Sequence, residues 1–117
     1  MGTESIDIRT HRERPISPGA VRGLYDHVGW TRPAREEALA EVLKAGPAVG
    51  AWDGDTLVGL VRALSDGYLV AYIEDVMVHE EYRRRGVGGE LMVRLLEEIG
   101  SIAKVRLLSF VESILYA

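Results

Sequence analysis

The sequence predicts a single α+β domain with a mixed, mostly antiparallel central sheet and helices on both of its faces. Asp-Gly pairs at Asp53-Gly54 and Asp66-Gly67 separate three apolar runs, which predicts a meander of antiparallel strands. Apolar residues recur at helical spacing before and after the meander. Because 117 residues is the size of one domain, we expect residues 1–117 to fold as one unit.

The first part of the chain is predicted to form one strand and two helices. Apolar and polar residues alternate over Ser5–Arg9, which indicates an edge strand. Ser17-Pro18 is typical of a helix N-cap followed by the first helical position, and this helix should end near Val28. Pro33 is predicted to open a second helix, which Gly46 ends.

The second part is predicted to form the meander, a third helix and a last strand. The helix covers Gly86–Ile99 and is followed by a strand over Lys104–Leu108. Since that strand follows a helix, it should lie parallel to the strand containing Val76. The meander strands are predicted at Ala48–Trp52, Leu57–Leu64 and Tyr68–Val78.

Composition argues against several classes of function. The formal net charge is −4, so the chain lacks the overall basic character that favours nucleic acid or anionic membranes as partners. Cysteine is absent, which excludes disulfides, thiolate metal sites and cysteine nucleophiles and is typical of a cytoplasmic protein. Three scattered histidines do not suggest a metal site, and no apolar run is long enough to span a bilayer.

The most informative passage is a run of arginines and glycines between the last meander strand and the third helix. Glycines that open a helix leave several backbone N–H groups available, and the helix dipole adds positive potential there. The arginines add full positive charge to an otherwise acidic chain. We therefore predict a phosphate-binding turn made by Arg83, Arg84, Arg85, Gly86, Val87, Gly88 and Gly89.

Other interpretations of this turn differ in how well they fit. A dinucleotide-binding loop needs Gly-x-Gly-x-x-Gly after a first strand, whereas this run is Gly86-x-Gly88-Gly89 and lies late in the chain. A nucleoside triphosphate loop needs Gly-Lys-Ser/Thr, which is absent, so nucleotide hydrolysis is disfavoured. An ordinary solvated, arginine-rich turn stays open when the loop is considered alone.

The residues around the turn add a family resemblance. The spacing Arg83-x-x-Gly86-x-Gly88 resembles the pyrophosphate-binding signature of the Gcn5-related N-acetyltransferases. Ile73–Val78 is similar to the corresponding stretch of glucosamine-phosphate acetyltransferases and of small bacterial amine acetyltransferases. The resemblance covers about residues 68–100 and extends more loosely back to about residue 16. It implies the acetyltransferase fold and acetyl-coenzyme A as co-substrate, without a metal.

The resemblance also implies how the co-substrate would bind. The pantetheine arm would enter between two splayed strands and pair with the backbone of Val76, Met77 and Val78. Backbone N–H groups from about Arg84 to Gly89 would hold the pyrophosphate. The arginine side chains would reach the 3′-phosphate or be solvated, and Met77 or Val78 would donate an N–H to the thioester carbonyl.

Acetyl transfer to an amine also needs a group that accepts the amine proton, because only the neutral amine attacks. Glu74 and Asp75 are the candidates, on a central strand where we expect partial desolvation. Since adjacent strand residues face opposite sides, we expect only one of them to face the acceptor. The alternative is that one of them caps a helix or binds an arginine, although the resemblance to the glucosamine-phosphate enzymes implies that both line the site.

The family resemblance also implies Tyr116 as the acid that protonates the leaving thiolate. The alternative for Tyr116 is a packing residue.

Three aromatic residues are candidates for the wall of the acceptor pocket, namely Tyr25, Trp30 and Tyr72, and the alternative for each is a role in the core. His79 follows the strand directly, and we expect a polar surface residue there rather than a base.

The C-terminal part departs from the family pattern, which continues with a fourth helix and two more strands. Ser109-x-x-Glu112 is a capping box that would begin this helix, yet the sequence stops at Ala117. The expected fold therefore lacks the C-terminal helix and the last two strands, as a fragment, a shortened variant or a chain completed by a partner. Because the missing strands would expose a sheet edge, we expect a homodimer.

Two classes of function follow. The first is an N-acetyltransferase that moves acetyl from acetyl-coenzyme A to a primary amine of a small molecule, by direct attack through a tetrahedral intermediate. An aminosugar phosphate is one possible acceptor, but the sequence shows no second basic cluster for an acceptor phosphate, so another amine fits equally well. The alternative is a non-catalytic or partner-dependent module that binds acetyl-coenzyme A.

Overall fold

The computed structural model describes residues 5–29, 36–100 and 104–107. The bounds of the five strands and of α1 and α3 lie within two residues of those predicted, whereas the predicted helix start at Pro33 lies outside the described residues. A short 3-10 turn, Glu80–Tyr82, precedes the last helix. The elements are β1 (Ile6–Thr10), α1 (Pro18–Val28), α2 (Glu36–Val42), β2 (Ala48–Asp53), β3 (Thr56–Ser65), β4 (Val70–Val78), α3 (Val87–Ile99) and β5 (Lys104–Leu107).

The strands form one sheet in the order β1-β2-β3-β4-β5. β1 to β4 pair with one another antiparallel, and the two Asp-Gly turns predicted the β2–β3 and β3–β4 pairs. β5 runs parallel to β4, with Val70 opposite Lys104 and Ile73 opposite Leu107. The predicted mixed, mostly antiparallel sheet and its last parallel strand are therefore confirmed.

Helices cover both faces of this sheet, also as predicted. On one face α3 buries Leu91 and Leu95 completely against inward-facing residues of β2, β3 and β4 such as Val61. On the other face α1 packs Leu24 against a second apolar cluster that includes Met77 of β4. Removing these side chains from water on both faces is the main favourable contribution to folding.

The first helix begins and ends where the sequence places its caps. The Ser17 side chain accepts a hydrogen bond from the Ala20 N–H at 3.1 Å, and Pro18 takes the first helical position. Gly29 ends the helix with φ of +76°, a left-handed conformation that suits glycine. These caps fix the orientation of α1, which carries Tyr25 towards the sheet.

Among the described residues, no helix has both the length and the apolar character needed to cross a bilayer.

A single carboxylate organises the turn between β3 and β4. Asp66 Oδ1 accepts hydrogen bonds from the backbone N–H groups of Tyr68, Leu69 and Val70, at 2.8, 2.8 and 3.3 Å. These bonds favour the ionised form and lower the pKa of Asp66 below its ordinary value. The turn holds Tyr68 and Leu69 in exposed positions at the end of the hairpin.

Replacing Asp66 with alanine should lower the unfolding temperature at pH 7, because three turn N–H groups lose their acceptor. A lowered folded pKa stabilises the protein above the unfolded pKa of about 3.9, and this contribution is lost as the pH falls through the lower folded value. The difference between wild type and Asp66→Ala should therefore shrink below about pH 4, measured by urea unfolding across pH. Asp55→Ala is the control, since the Asp55 side chain is fully exposed in the other turn. An equal loss in both variants would contradict this role.

Candidate active site

β4 contains one extra residue at Asp75. Arg62 of β3 lies opposite Glu74, and Leu60 lies opposite Met77, so one residue of β3 faces two residues of β4. Asp75 has φ of +54°, which is unusual for a residue other than glycine. This combination of a register shift and a left-handed residue is a β-bulge.

The bulge resets the alternation of side chains along β4. Ile73 and Val76 both face the cluster under α3, whereas Met77 faces the cluster under α1 and α2. Asp75 accepts a hydrogen bond from Tyr25 of α1, and Glu74 and Asp75 both pair with Arg62. The prediction that Glu74 and Asp75 face opposite sides of the sheet is therefore wrong, because a bulge interrupts the period of two.

Arg62 links the two carboxylates. Its Nε donates to Asp75 Oδ2 at 2.5 Å, and its second guanidinium nitrogen lies 3.6 Å from Glu74 Oε2. The Tyr25 hydroxyl donates to the same Asp75 oxygen at 3.1 Å. The alternative considered from the sequence, that one carboxylate binds an arginine, holds for both.

The two carboxylates differ in their access to a ligand. The Asp75 side chain is fully buried, whereas 28% of the Glu74 side chain is exposed. Asp75 accepts strong hydrogen bonds from an arginine and a tyrosine, and so acts as an anchor for neighbouring side chains. Glu74 is the carboxylate that a bound amine could reach.

The two aromatic candidates that lie within the described residues, Tyr25 and Tyr72, differ in burial. Tyr25 is 2% exposed and packs in the core beneath α1, with its hydroxyl on Asp75. Tyr72 lies half-buried on β4, two residues before Glu74. Trp30 and Tyr116 lie outside the described residues.

The phosphate turn follows β4 directly, and its three arginines differ in their surroundings. Arg83 is half-buried and its Nε donates to the Val78 carbonyl at 2.8 Å, which closes the turn. Arg84 is exposed with φ of +64°, again left-handed. Arg85 is exposed and its guanidinium lies 5.4 Å from the centre of the Tyr82 ring.

The glycines then open α3 and leave space beside it. Gly86 is the N-cap with φ of +81°, and no side chain caps the helix there. A Cβ on Gly86 or Gly89 would have no atom within 4 Å, whereas Val87 and Gly88 are buried and anchor the first turn. Left-handed residues followed by a helix start direct backbone N–H groups to one point, a geometry that binds anions.

The edge of β4 that faces β5 leads towards the phosphate turn. Within the described residues, Val70–Ile73 of this edge pair with β5. Val76, Met77 and Val78 lie beyond that segment and have buried side chains. Their backbone is thus placed between the paired part of the sheet and the phosphate turn, where the resemblance expects the pantetheine arm.

His79 is buried, so the expectation of a surface residue is wrong. Its ring lies 4.1 Å from that of His27 at the end of α1, and its Nδ1 accepts the Glu81 N–H at 3.1 Å. Burial, followed by the proximity of His27, lowers the pKa of His79 below its ordinary value. The neutral ring therefore serves as the N-cap of the 3-10 turn.

Sequence reasoning missed Arg62, although one signal was available. Arg62 is the charged residue within the apolar run Leu57–Leu64, and charges rarely occupy a buried strand without a partner. Two adjacent carboxylates on the next strand, Glu74 and Asp75, could have supplied that partner. In the described part of the chain, His, Asp and Glu side chains form no cluster of three or more that could hold a metal ion.

Arg62→Met should lower the free energy of unfolding by about 3–5 kcal/mol, because it leaves the buried Asp75 carboxylate without its cation. Adding Asp75→Asn should restore part of that loss, since the charge that Arg62 balances is then gone. Urea unfolding of both single variants and the double variant measures this coupling. Strictly additive losses would contradict a direct pair, and Arg12→Met, at an arginine whose side chain is 81% exposed, is the arginine control.

Comparisons with known proteins agree with this geometry. The model of the acetyltransferase (GNAT) family matches residues 16–112. A GNAT-family acetyltransferase from Streptococcus pneumoniae TIGR4 is 31% identical, with a TM-score of 0.75 over 91% of this chain and 76% of that chain. A protein assigned as an acetyltransferase from Deinococcus radiodurans R1 is also 31% identical, with a TM-score of 0.78 over 99% of this chain and 80% of that chain.

A more distant likeness shows the fold alone. Glucosamine-6-phosphate N-acetyltransferase from Arabidopsis thaliana is 15% identical, with a TM-score of 0.68 over 95% of this chain and 86% of that chain. Comparison of the sequence with curated proteins gives no match. Since the family match spans most of the sequence, including the bulged strand and the phosphate turn, the chain belongs to the GNAT family of acetyltransferases.

Proposed function

We infer that the protein transfers an acetyl group from acetyl-coenzyme A to the primary amine of a small molecule. Family membership establishes acetyl transfer in general. The observation that carries the finer proposal is that β4 presents Glu74 on one face and leads directly into the anion-binding turn before α3. β4 thus carries a carboxylate suited to a cationic amine and leads into a turn suited to phosphate.

The phosphate turn fits the pyrophosphate of acetyl-coenzyme A. The open space at Gly86 and Gly89 leaves room for a ligand against the backbone, and α3 directs its N-terminus there. Backbone N–H groups from Arg84 to Gly89 would hold the pyrophosphate, and the edge of β4 at Val76, Met77 and Val78 would pair with the pantetheine arm. When bound, acetyl-coenzyme A supplies an acetyl group activated as a thioester.

The acceptor side is lined by carboxylates. Glu74 and Asp75 both pair with Arg62, so among the described contacts two carboxylates meet one guanidinium. A protonated amine is attracted to such a cluster, and Glu74 can accept its proton directly or through water before attack. Asp75 and Arg62 hold Glu74 in place, while the N–H of Met77 or Val78 would stabilise the carbonyl oxygen.

Some residues enter this proposal from the family resemblance alone. Tyr116 would protonate the leaving thiolate, and Trp30 and Tyr72 would line the acceptor pocket. The homodimer and the cytoplasmic location also stay predictions of the sequence. A non-catalytic module that binds acetyl-coenzyme A is the alternative, and it shares the phosphate turn but does not require Glu74.

Gly89→Asp should abolish binding of acetyl-coenzyme A without unfolding the protein. An aspartate in the first turn of α3 complements the helix dipole, yet it places negative charge where the pyrophosphate would bind. Acetyl-coenzyme A at 100 times its dissociation constant should stabilise wild type by about 2.7 kcal/mol, measured by thermal unfolding, and should not stabilise Gly89→Asp.

Gly89→Ala is the matched control for this variant, since it adds a Cβ in the same open position without charge. It should retain most of the stabilisation by acetyl-coenzyme A. The absence of any stabilisation in folded wild type would refute the proposed co-substrate.

Glu74→Gln should lower acetyl transfer by about 10²- to 10⁴-fold, because the amide cannot accept the amine proton. Release of the coenzyme A thiol, followed with a panel of polyamines, aminosugars and aminoglycosides, measures transfer. Binding of acetyl-coenzyme A should be unchanged in this variant, and Glu97→Gln on the exposed surface of α3 should behave like wild type. Unchanged transfer in Glu74→Gln would assign proton removal to another group. Binding by wild type without transfer to any amine would favour the non-catalytic module.

A further inference from the structure

Tyr82 ends the 3-10 turn before the phosphate turn, and contacts on several sides fix its ring. Its hydroxyl donates a hydrogen bond to Asp53 Oδ2, at the end of β2. The edge of its ring meets the His79 ring, with centroids 5.7 Å apart and planes at 88°. The hydrogen bond between Tyr82 and Asp53 thereby connects the start of the phosphate turn to the β2–β3 hairpin.

The contact with Asp53 keeps Tyr82 in its neutral, donating form. The hydrogen bond to the carboxylate raises the pKa of Tyr82 above its ordinary value of about 10, followed by burial and the charge of Asp53. The phenol therefore stays protonated at neutral pH, and swinging the side chain away from Asp53 would break a charge-assisted hydrogen bond. This bond fixes the position of the ring, and the edge contact with His79 fixes its plane.

The guanidinium of Arg85 lies over the face of the Tyr82 ring. The guanidinium carbon lies 5.4 Å from the ring centre, within the range of a cation–π contact. Among the described residues, no carboxylate forms an ion pair with Arg85, so its charge is available to an anion. Arg83 differs, since its side chain closes the turn on the Val78 carbonyl.

We propose that Tyr82, fixed by Asp53, is a positioning residue that holds Arg85 ready to bind the 3′-phosphate of coenzyme A. This inference rests on the proposed function. The backbone N–H groups at the start of α3 suit the pyrophosphate, so an exposed guanidinium outside that cradle is placed for a second phosphate group. A side chain that is already oriented loses less conformational freedom when the phosphate binds, which strengthens binding.

The test compares binding of coenzyme A and 3′-dephospho-coenzyme A by isothermal titration calorimetry. Arg85→Ala should remove most of the wild-type preference for coenzyme A. Tyr82→Leu should reduce that preference by about two- to fivefold, as expected for one exposed cation–π contact, and should leave binding of the dephospho form unchanged. In the Arg85→Ala background, Tyr82→Leu should have no further effect on the preference. Tyr82→Phe keeps the ring and should retain more of the preference than Tyr82→Leu.

Arg84→Ala is the matched control, because Arg84 is an exposed neighbour in the same turn. Its effect on the preference should add to that of Tyr82→Leu, whereas the effect of Arg85→Ala should not. Equal weakening of both ligands by Tyr82→Leu would overturn the proposal and assign Tyr82 to the general shape of the turn or to the pyrophosphate. Failure of wild type to bind either ligand would instead refute the proposed function, so the two failures are distinguishable.

Discussion

The Arg62–Asp75 ion pair is the interaction on which the arrangement of the site depends. Asp75 has a left-handed backbone and a fully buried carboxylate, and each of these is unfavourable by itself. The guanidinium of Arg62 and the hydroxyl of Tyr25 compensate by meeting at one oxygen, Asp75 Oδ2. Since these residues belong to β3, β4 and α1, a single buried carboxylate joins the two central strands to the helix above them.

The bulge that this pair stabilises determines what the rest of β4 can do. After Asp75 the alternation restarts, so that Val76 and Val78 enter the core under α3 while Met77 enters the core under α1 and α2. The strand is therefore held on both faces immediately before the phosphate turn. A site built on such a strand keeps its geometry better than one built on loops alone.

The sequence predicted the elements and the glycine-rich turn before α3 because their signals are local. Asp-Gly turns, the Ser17-Pro18 cap and the glycines from Gly86 each act within a few residues. The bulge could not be predicted in this way, because it depends on Arg62, which lies 13 residues earlier in the chain. For the same reason the relative orientation of Glu74 and Asp75 was predicted wrongly from strict alternation. The burial of His79 likewise involves a distant residue, because its ring packs against that of His27, which lies 52 residues earlier in the chain.

Opposite charges at the two ends of this segment make the proposed binding of an anionic co-substrate compatible with an acidic chain. Glu74 and Val78 are four positions apart on β4, and a strand rises about 3.3 Å per residue, so Glu74 lies up to about 13 Å along the strand from its end, less the shortening at the bulge. Since the screening length at physiological ionic strength is about 8 Å, exposed charges at the two ends act largely separately. The carboxylate cluster can therefore attract a cationic amine without cancelling the field of Arg84 and Arg85. The net charge of the chain, −4, therefore says little about these ligands, because the proposed amine and the proposed phosphate groups meet opposite ends of one strand.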